Sequence, residues 1–192
     1  MTRPAVFLDR DGVLTVLVRD PSTGTFESPL RPEDTELVPG VASSLHALAG
    51  AGYLLVGVTN QPAAAKQTAR IEVIEAVQAR AVELLGARGV VFDAWRMCLH
   101  HPQGTDPELG RSCDCRKPAP GLLLSAAEEL DIDLASSWMI GDTDSDVLAG
   151  KAAGCRTVLL ELPVSVHKRS THIAPDLRAP DLAGAVLVLL NR

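Results

Sequence analysis

The sequence predicts an α/β fold, with a parallel sheet covered by helices on both faces. Two observations carry this expectation. Short apolar runs alternate with segments of helical period, and several of the apolar runs end in acidic or amide residues. Ligands of open α/β sheets bind beyond the carboxyl ends of the strands, where such residues would lie. With no internal repeat and no low-complexity tract, residues 1–192 read as one domain, within the usual span of about 100–200 residues.

The elements follow in order. Ala5 to Leu8 is an apolar run ending in an acidic cluster, and Val41 to Gly52 reads as a helix. Tyr53 to Val58 is a second strand, ending at Thr59-Asn60. From Thr68 to Gly86, apolar residues at Ile71, Ile74, Val77, Ala81, Val82 and Leu85 fall at helical spacing. Val90 to Trp95 is a third strand candidate. Gly121 to Leu130 reads as a helix preceded by Pro118 and Pro120, where proline is tolerated. Trp138 to Ile140 and Thr157 to Leu160 are strands separated by a short helix that Gly154 ends. Asp181 to Leu190 closes the chain as a helix, with Asp181 as N-cap. Arg19 to Asp34 and Cys98 to Pro120 carry no assignment, and loops of that length in a compact domain are commonly functional.

Composition narrows the function. The chain is 46% hydrophobic and 22% charged, an ordinary globular balance. A net charge of -6 argues against a general nucleic-acid binder, which would present a basic stripe. No apolar run approaches the roughly 20 residues that cross a bilayer. Nor does the N-terminal stretch carry the apolar core of a signal peptide, so a cytoplasmic location is expected. In such a setting four cysteines read as metal ligands or free thiols.

Four polar groups fall at or just after strand ends or in a loop before a helix. They are Asp9-Arg10-Asp11-Gly12, Thr59-Asn60, Lys117, and Gly141-Asp142 with Asp144 and Asp146. Carboxylates at i and i+2 leave an extended strand on one side and repel unless a cation joins them. Mg²⁺, which prefers oxygen ligands, suits that pair, and Asp142 can complete its site. Such a cation offsets the repulsion between an anionic nucleophile and an anionic phosphate. An attacking Asp9 would split a hard hydrolysis into two easier steps. Asp11 can protonate the leaving oxygen and then activate water. Thr59 and Asn60 can donate to phosphoryl oxygens, and Lys117 can neutralise charge growing on them. Separately, each group has a plainer reading as a turn, a cap or a surface charge. Their occurrence together and in this order is what points to phosphate chemistry.

Asp9-Arg10-Asp11-Gly12-Val13, Thr59-Asn60-Gln61, Lys117-Pro118 and Gly141-Asp142-x-x-x-Asp146 resemble the four motifs of haloacid-dehalogenase phosphatases, over about residues 5 to 161. The resemblance implies a Rossmann-like fold without a large cap domain. It implies Mg²⁺ held by the Asp9 side chain, the Asp11 backbone carbonyl and the Asp142 side chain. It also implies Asp9 as nucleophile, Asp11 as general acid/base, and Asp146 as a residue that orients its neighbours.

Cys98-Leu99-His100 and Cys113-Asp114-Cys115 offer three thiolates and an imidazole, a recognised set for structural zinc. His101 competes with His100 as the fourth ligand, while Cys155 stands apart. Zn²⁺ here would pin the loop that carries Arg116 and Lys117. The string from Cys98 to Pro102, followed by Cys113 to Pro118, resembles the zinc-loop subgroup of the same family. That subgroup contains heptose-bisphosphate and histidinol-phosphate phosphatases. It implies a small phosphate ester as partner, D-glycero-D-manno-heptose 1,7-bisphosphate at its C7 phosphate first and histidinol phosphate second. It also implies substrate contacts from Arg116, Asn60 and Gln61.

Some positions depart from the heptose-phosphatase pattern. Asn60-Gln-Pro-Ala-Ala-Ala-Lys-Gln67 lacks the glycines usual after the second strand, Lys66 replaces an Arg, and Thr15 and Thr143 replace Asn and Lys. A nucleic-acid 3′-phosphatase shares the Thr-Asn-Gln motif, but two Trp, one Tyr and three Phe offer poor stacking for a strand. A phosphomutase would need a cap to keep water from the aspartyl-phosphate. A zinc-stabilised binding protein without catalysis would tend to have lost Asp9, Asp11, Lys117 or Asp142, and all four remain. The sequence leaves the oligomeric state open.

Overall fold

Six parallel strands form the sheet of the computed structural model, in the order β5-β4-β1-β6-β7-β8. The structure describes residues 2–191 apart from Ser22 and Thr171. Along the chain, β1 (Ala5–Leu8) leads to the short strands β2 (Val18–Arg19) and β3 (Phe26–Glu27), then α1 (Val41–Gly50), β4 (Leu54–Asn60) and α2 (Ile71–Gly86). There follow β5 (Ala94–Cys98), α3 (Gly121–Leu130), β6 (Trp138–Gly141), α4 (Asp144–Ala153), β7 (Arg156–Leu160), β8 (Leu177–Ala179) and α5 (Leu182–Leu190).

The two-residue period of β1 divides the core in two. Val6 and Leu8 point to one face and pack with Val41, Leu45 and Leu48 of α1 and with Leu182, Val186 and Leu189 of α5. Ala5 and Phe7 point to the other and meet Leu122, Leu123 and Ala126 of α3 and Ala149 and Ala153 of α4. Helices therefore cover both faces, and all four residues of β1 are fully buried. Each such large apolar side chain contributes about 1.5–3 kcal/mol. Gly57 in the middle of β4 has a packing role: a Cβ there would lie 2.1 Å from the Trp95 ring.

β1 pairs with β4 on one side and β6 on the other, in parallel register from Ala5↔Leu54 and Val6↔Trp138 onward. The chain thus leaves β1 in one direction and returns to build the sheet in the other. This is a topological switch point, where a crevice opens beyond the strand ends.

The structure moves some expected boundaries. The third strand is Ala94–Cys98 rather than residues 90–95. Val91 is 80% exposed, and Asp93 turns the chain by accepting from the Leu55 amide at 2.8 Å. α2 begins at Ile71, because residues 62–69 fold into a separate turn in which Thr68 and Ala69 both donate to Ala63 O. The unassigned 19–34 stretch holds most of a hairpin in which β2 and β3 pair antiparallel, followed by a 3₁₀ turn at Pro32–Asp34. β8 was not expected: three residues pair with β7 at the sheet edge. Gly154 ends α4 at φ 88°, and the Asp181 carboxylate caps α5 by accepting from Gly184 N. No helix among the described residues is long and apolar enough to cross a membrane.

Candidate active site

The ends of β1, β4 and β6 deliver Asp9, Asn60 and Asp142 to one cleft of about 580 Å³, with Thr59 buried just beneath. Carboxylate oxygens of Asp9, Asp142 and Asp146 lie within 4.8 Å of one another. Lys117 enters among them from the loop ahead of α3. Its Nζ is 2.9 Å from Asp9 Oδ1 and 2.6 Å from Asp146 Oδ1, and it donates to Val58 O at 2.8 Å. The Lys117 side chain is only 2% exposed. Burial works against its charge, but Asp146 and Asp9 together hold the ammonium above the usual lysine range.

One cation among these carboxylates leaves the cluster short of positive charge. Burial pushes the Asp9 carboxyl up to about 8, with Lys117 pulling against it and Asp146, Asp142 and Asp11 adding to the rise. Burial and the neighbouring Asp146 take Asp142 up to about 6. Asp142 Oδ1 is buried with no hydrogen-bond partner among the described residues. A buried, unpaired carboxylate oxygen beside two more carboxylates is what a hard divalent cation requires, so the donor set fits Mg²⁺. The backbone passes close to this point only because residue 12 is glycine. At φ 88° a Cβ would lie 2.7 Å from Asp142 Oδ2.

Asp146 serves two neighbours. Its Oδ2 accepts from Thr143 N at 3.1 Å and Thr143 Oγ1 at 2.6 Å, tying down the start of α4, while its Oδ1 faces Lys117. Thr143, one of the departures from the family pattern, is thus occupied in capping.

Asp11 is gripped from several directions. Its Oδ1 accepts from Arg10 Nε and Thr15 Oγ1, each at 3.0 Å. Its Oδ2 accepts from Arg10 Nη2 at 2.9 Å, Ser28 Oγ at 2.8 Å and Gln61 Nε2 at 2.6 Å. Although burial favours the neutral acid, the Arg10 guanidinium and these donors hold the Asp11 carboxyl below its ordinary value. Arg10 is itself fully buried and reaches Gln78 Oε1 through Nη1 at 3.1 Å.

The residues expected at the substrate are used differently. Asn60 clamps the Lys117 backbone at both ends of its amide, donating to Lys117 O at 2.9 Å and accepting from Lys117 N at 3.1 Å. Gln61 directs its amide nitrogen to Asp11 Oδ2 and to Thr59 Oγ1. Both line the cleft, yet their polar atoms position Lys117 and Asp11. Arg116 also lines the cleft and donates to His100 O at 3.2 Å. Sequence reasoning missed Ser28, His167 and Lys168 in the cleft wall. No motif marks them, and only the folded hairpin brings Ser28 to Asp11.

Beside the cleft, Cys98, His100, Cys113 and Cys115 converge, and all four cysteines of the chain are free thiols. Sulfur pairs lie 3.1, 3.2 and 3.6 Å apart, and His100 Nδ1 is 3.7 and 3.5 Å from Cys98 and Cys115. A tetrahedral zinc with Zn–S near 2.3 Å has edges of about 3.8 Å, so this cluster fits such an ion with slight expansion. His101 instead accepts from Gln103 N through Nδ1, which leaves His100 in the cluster. The same loop braces the glycine-free turn at 62–67, because Thr105 N and Asp106 N both donate to Ala65 O.

The HAD-hydrolase-like family model matches residues 114–185. The chain is 39% identical over 163 residues to the D-glycero-β-D-manno-heptose-1,7-bisphosphate 7-phosphatase of Vibrio cholerae, covering 83% of this chain and 82% of that protein. The chain belongs to the haloacid-dehalogenase-like phosphatase family. It is also 38% identical over 157 residues to the Escherichia coli protein of the same name, covering 82% of this chain and 78% of that one. Among solved structures, D,D-heptose 1,7-bisphosphate phosphatase from B. bronchiseptica, complexed with magnesium and phosphate, matches with a TM-score of 0.78 and 28% identity. That match covers 98% of both chains.

Proposed function

We propose that the protein is a Mg²⁺-dependent phosphatase that removes the C7 phosphate of D-glycero-D-manno-heptose 1,7-bisphosphate. The observation that carries this reading is Asp9 at the end of β1, with Lys117 Nζ 2.9 Å away and Asp142 and Asp146 beside it. The names of the relatives supply the substrate.

In this reading the Asp9 carboxylate attacks phosphorus and the bond from phosphorus to the sugar oxygen breaks. Asp11, once it has taken up a proton against the donors that hold it ionised in the free protein, gives that proton to the leaving oxygen. It then takes a proton from the water that attacks the aspartyl-phosphate, releasing inorganic phosphate and restoring Asp9. Lys117 stabilises charge on the phosphoryl oxygens, and the Thr59 hydroxyl, whose oxygen accepts from Gln61 Nε2, would donate to them as well. The side chains of Asp9 and Asp142 and the backbone carbonyl of Asp11 would hold Mg²⁺. When bound, that ion supplies the positive charge that lets an anionic nucleophile approach an anionic phosphate.

Cys98, His100, Cys113 and Cys115 would hold Zn²⁺ in a structural role, keeping Arg116 and Lys117 in place. Arg116, half-buried at the cleft wall, is the candidate contact to the distal part of the substrate, with Asn60 and Gln61 behind it. Acting on a soluble sugar phosphate, the enzyme would work in the cytoplasm without nucleic acid or membrane as partner.

The test is Mg²⁺-dependent phosphate release from both anomers of heptose 1,7-bisphosphate, histidinol phosphate and a 3′-phosphorylated oligonucleotide. Preference for a heptose anomer, with the C1 phosphate retained, supports the reading. Preference for histidinol phosphate, or flat activity across the panel, overturns the substrate assignment.

A further inference from the structure

Asp11 is held by more donors than a carboxylate accommodates. Two donors reach Oδ1 and three reach Oδ2. A carboxylate offers about four lone-pair sites. Arg10 and Thr15 lie in the turn after β1 and Gln61 directly follows β4, all of them buried against the sheet. Ser28 differs, because it follows β3 in a hairpin whose strands are two residues each. Its neighbour Glu27 crosses the cleft mouth to Lys168, with Nζ 2.8 Å from Oε2, and lies 3.7 Å from His167 Nε2. The short 3₁₀ helix Pro163–Lys168 follows β7, on the far side of β6 from β4. One hairpin therefore touches Asp11 on its inner side and the opposite wall through its rim.

We propose that Ser28 is a positioning residue for the acid/base Asp11, delivered by a hairpin that the Glu27–Lys168 ion pair fastens across the cleft. The Ser28 hydroxyl sets the direction of Asp11 Oδ2 while the hairpin is fastened. Lys168 also borders the cleft near Asp142, which puts the fastening beside the carboxylate cluster. The fastening of the hairpin and the setting of Asp11 are thereby coupled through the adjacent residues Glu27 and Ser28. This inference rests on the phosphatase reading for the role of Asp11, though not for the contact itself.

The experiment combines steady-state kinetics with hydrogen–deuterium exchange of the 16–30 segment. Ser28→Ala is expected to lower kcat about tenfold, the factor that corresponds to losing one charge-assisted hydrogen bond, with KM within about twofold. Ser28→Thr, which keeps the hydroxyl, is expected to restore kcat to within about threefold. Glu27→Gln and Lys168→Met should each speed hairpin exchange severalfold, and the double variant should add nothing beyond either. Wild-type kcat in Ser28→Ala, or unchanged exchange in both Glu27→Gln and Lys168→Met, overturns the proposal while leaving the phosphatase reading standing. If the protein released no phosphate from any ester, the exchange data would still decide the hairpin contact. Faster exchange in Ser28→Ala, Glu27→Gln and Lys168→Met would keep it, and unchanged exchange would remove it.

Discussion

Replacing Lys117 with Met tests the electrostatics of the cleft without emptying its volume. In the folded protein, Lys117 Nζ lies 2.9 Å from Asp9 and 2.6 Å from Asp146, with its side chain 2% exposed. Removing one partner of such a buried arrangement leaves uncompensated charge, which costs about 3–5 kcal/mol. Protonation limits the loss, because Asp9 already sits at about 8 and loses in Lys117 the main influence that lowers it. In metal-free buffer the variant should lose about 3–5 kcal/mol at both pH 6 and pH 8, with a rise of under about 1 kcal/mol between them, because Asp9 at about 8 only begins to ionise in the wild type over that window. Urea unfolding in EDTA at the two pH values reads this directly, and saturating Mg²⁺ should return part of the loss. Phosphate release should fall by at least about a hundredfold. A loss under about 1 kcal/mol at pH 8 would refute the view that Lys117 is the cation on which this cluster depends.

Three further outcomes follow from the same geometry. The Asp9 and Asp142 carboxyls are raised from 3.8 to about 8 and about 6, so the folded metal-free protein holds protons that the unfolded chain has released. Stability in EDTA should therefore decline as pH rises from about 4 to about 8, and the gap to Mg²⁺-saturated protein should widen over that window; a constant gap would contradict it. Cys113→Ala should lose bound zinc, measured by mass spectrometry of the metal, together with activity; full activity without zinc would refute the bracing role. Gly57→Ala would place a Cβ 2.1 Å from the Trp95 ring and should cost about 1–3 kcal/mol in urea unfolding; a change under about 0.5 kcal/mol would show that Trp95 moves aside freely.

The fold was legible wherever one signal dominated. β1, α3 and β6 follow from apolar runs bounded by Gly, Pro or Asp, and the two-sided core follows from four consecutive apolar residues in β1. The edges were not legible. β5 carries Arg96 and half-buried residues because an edge strand need not be apolar throughout, whereas the more apolar run at Val90–Phe92 is irregular chain ahead of a bend at Asp93. β8 and the hairpin have three and two residues per strand, too short for any period to register.

In the site, motif order sufficed to bring Asp9, Asp142, Asp146 and Lys117 together, as did the spacing of Cys98, His100, Cys113 and Cys115 for their cluster. Direction of side chains was beyond it. Asn60 and Gln61 have the chemistry to hold a phosphate, but hydrogen-bond geometry turns one to the Lys117 backbone and the other to Asp11. Thr15 departs from the family pattern at its position yet supplies Asp11 with a donor, so a substitution that looked like a loss is a local replacement.

The account rests on Asp9 as the group that takes the phosphoryl, and Asp9→Asn tests it most directly. The measurement is phosphate release from heptose 1,7-bisphosphate in Mg²⁺, wild type beside the variant, with folding of the variant checked by circular dichroism. The account predicts a folded variant whose kcat falls by at least about a thousandfold. A folded Asp9→Asn protein that keeps activity within about tenfold of wild type would place the nucleophile elsewhere and contradict the mechanism.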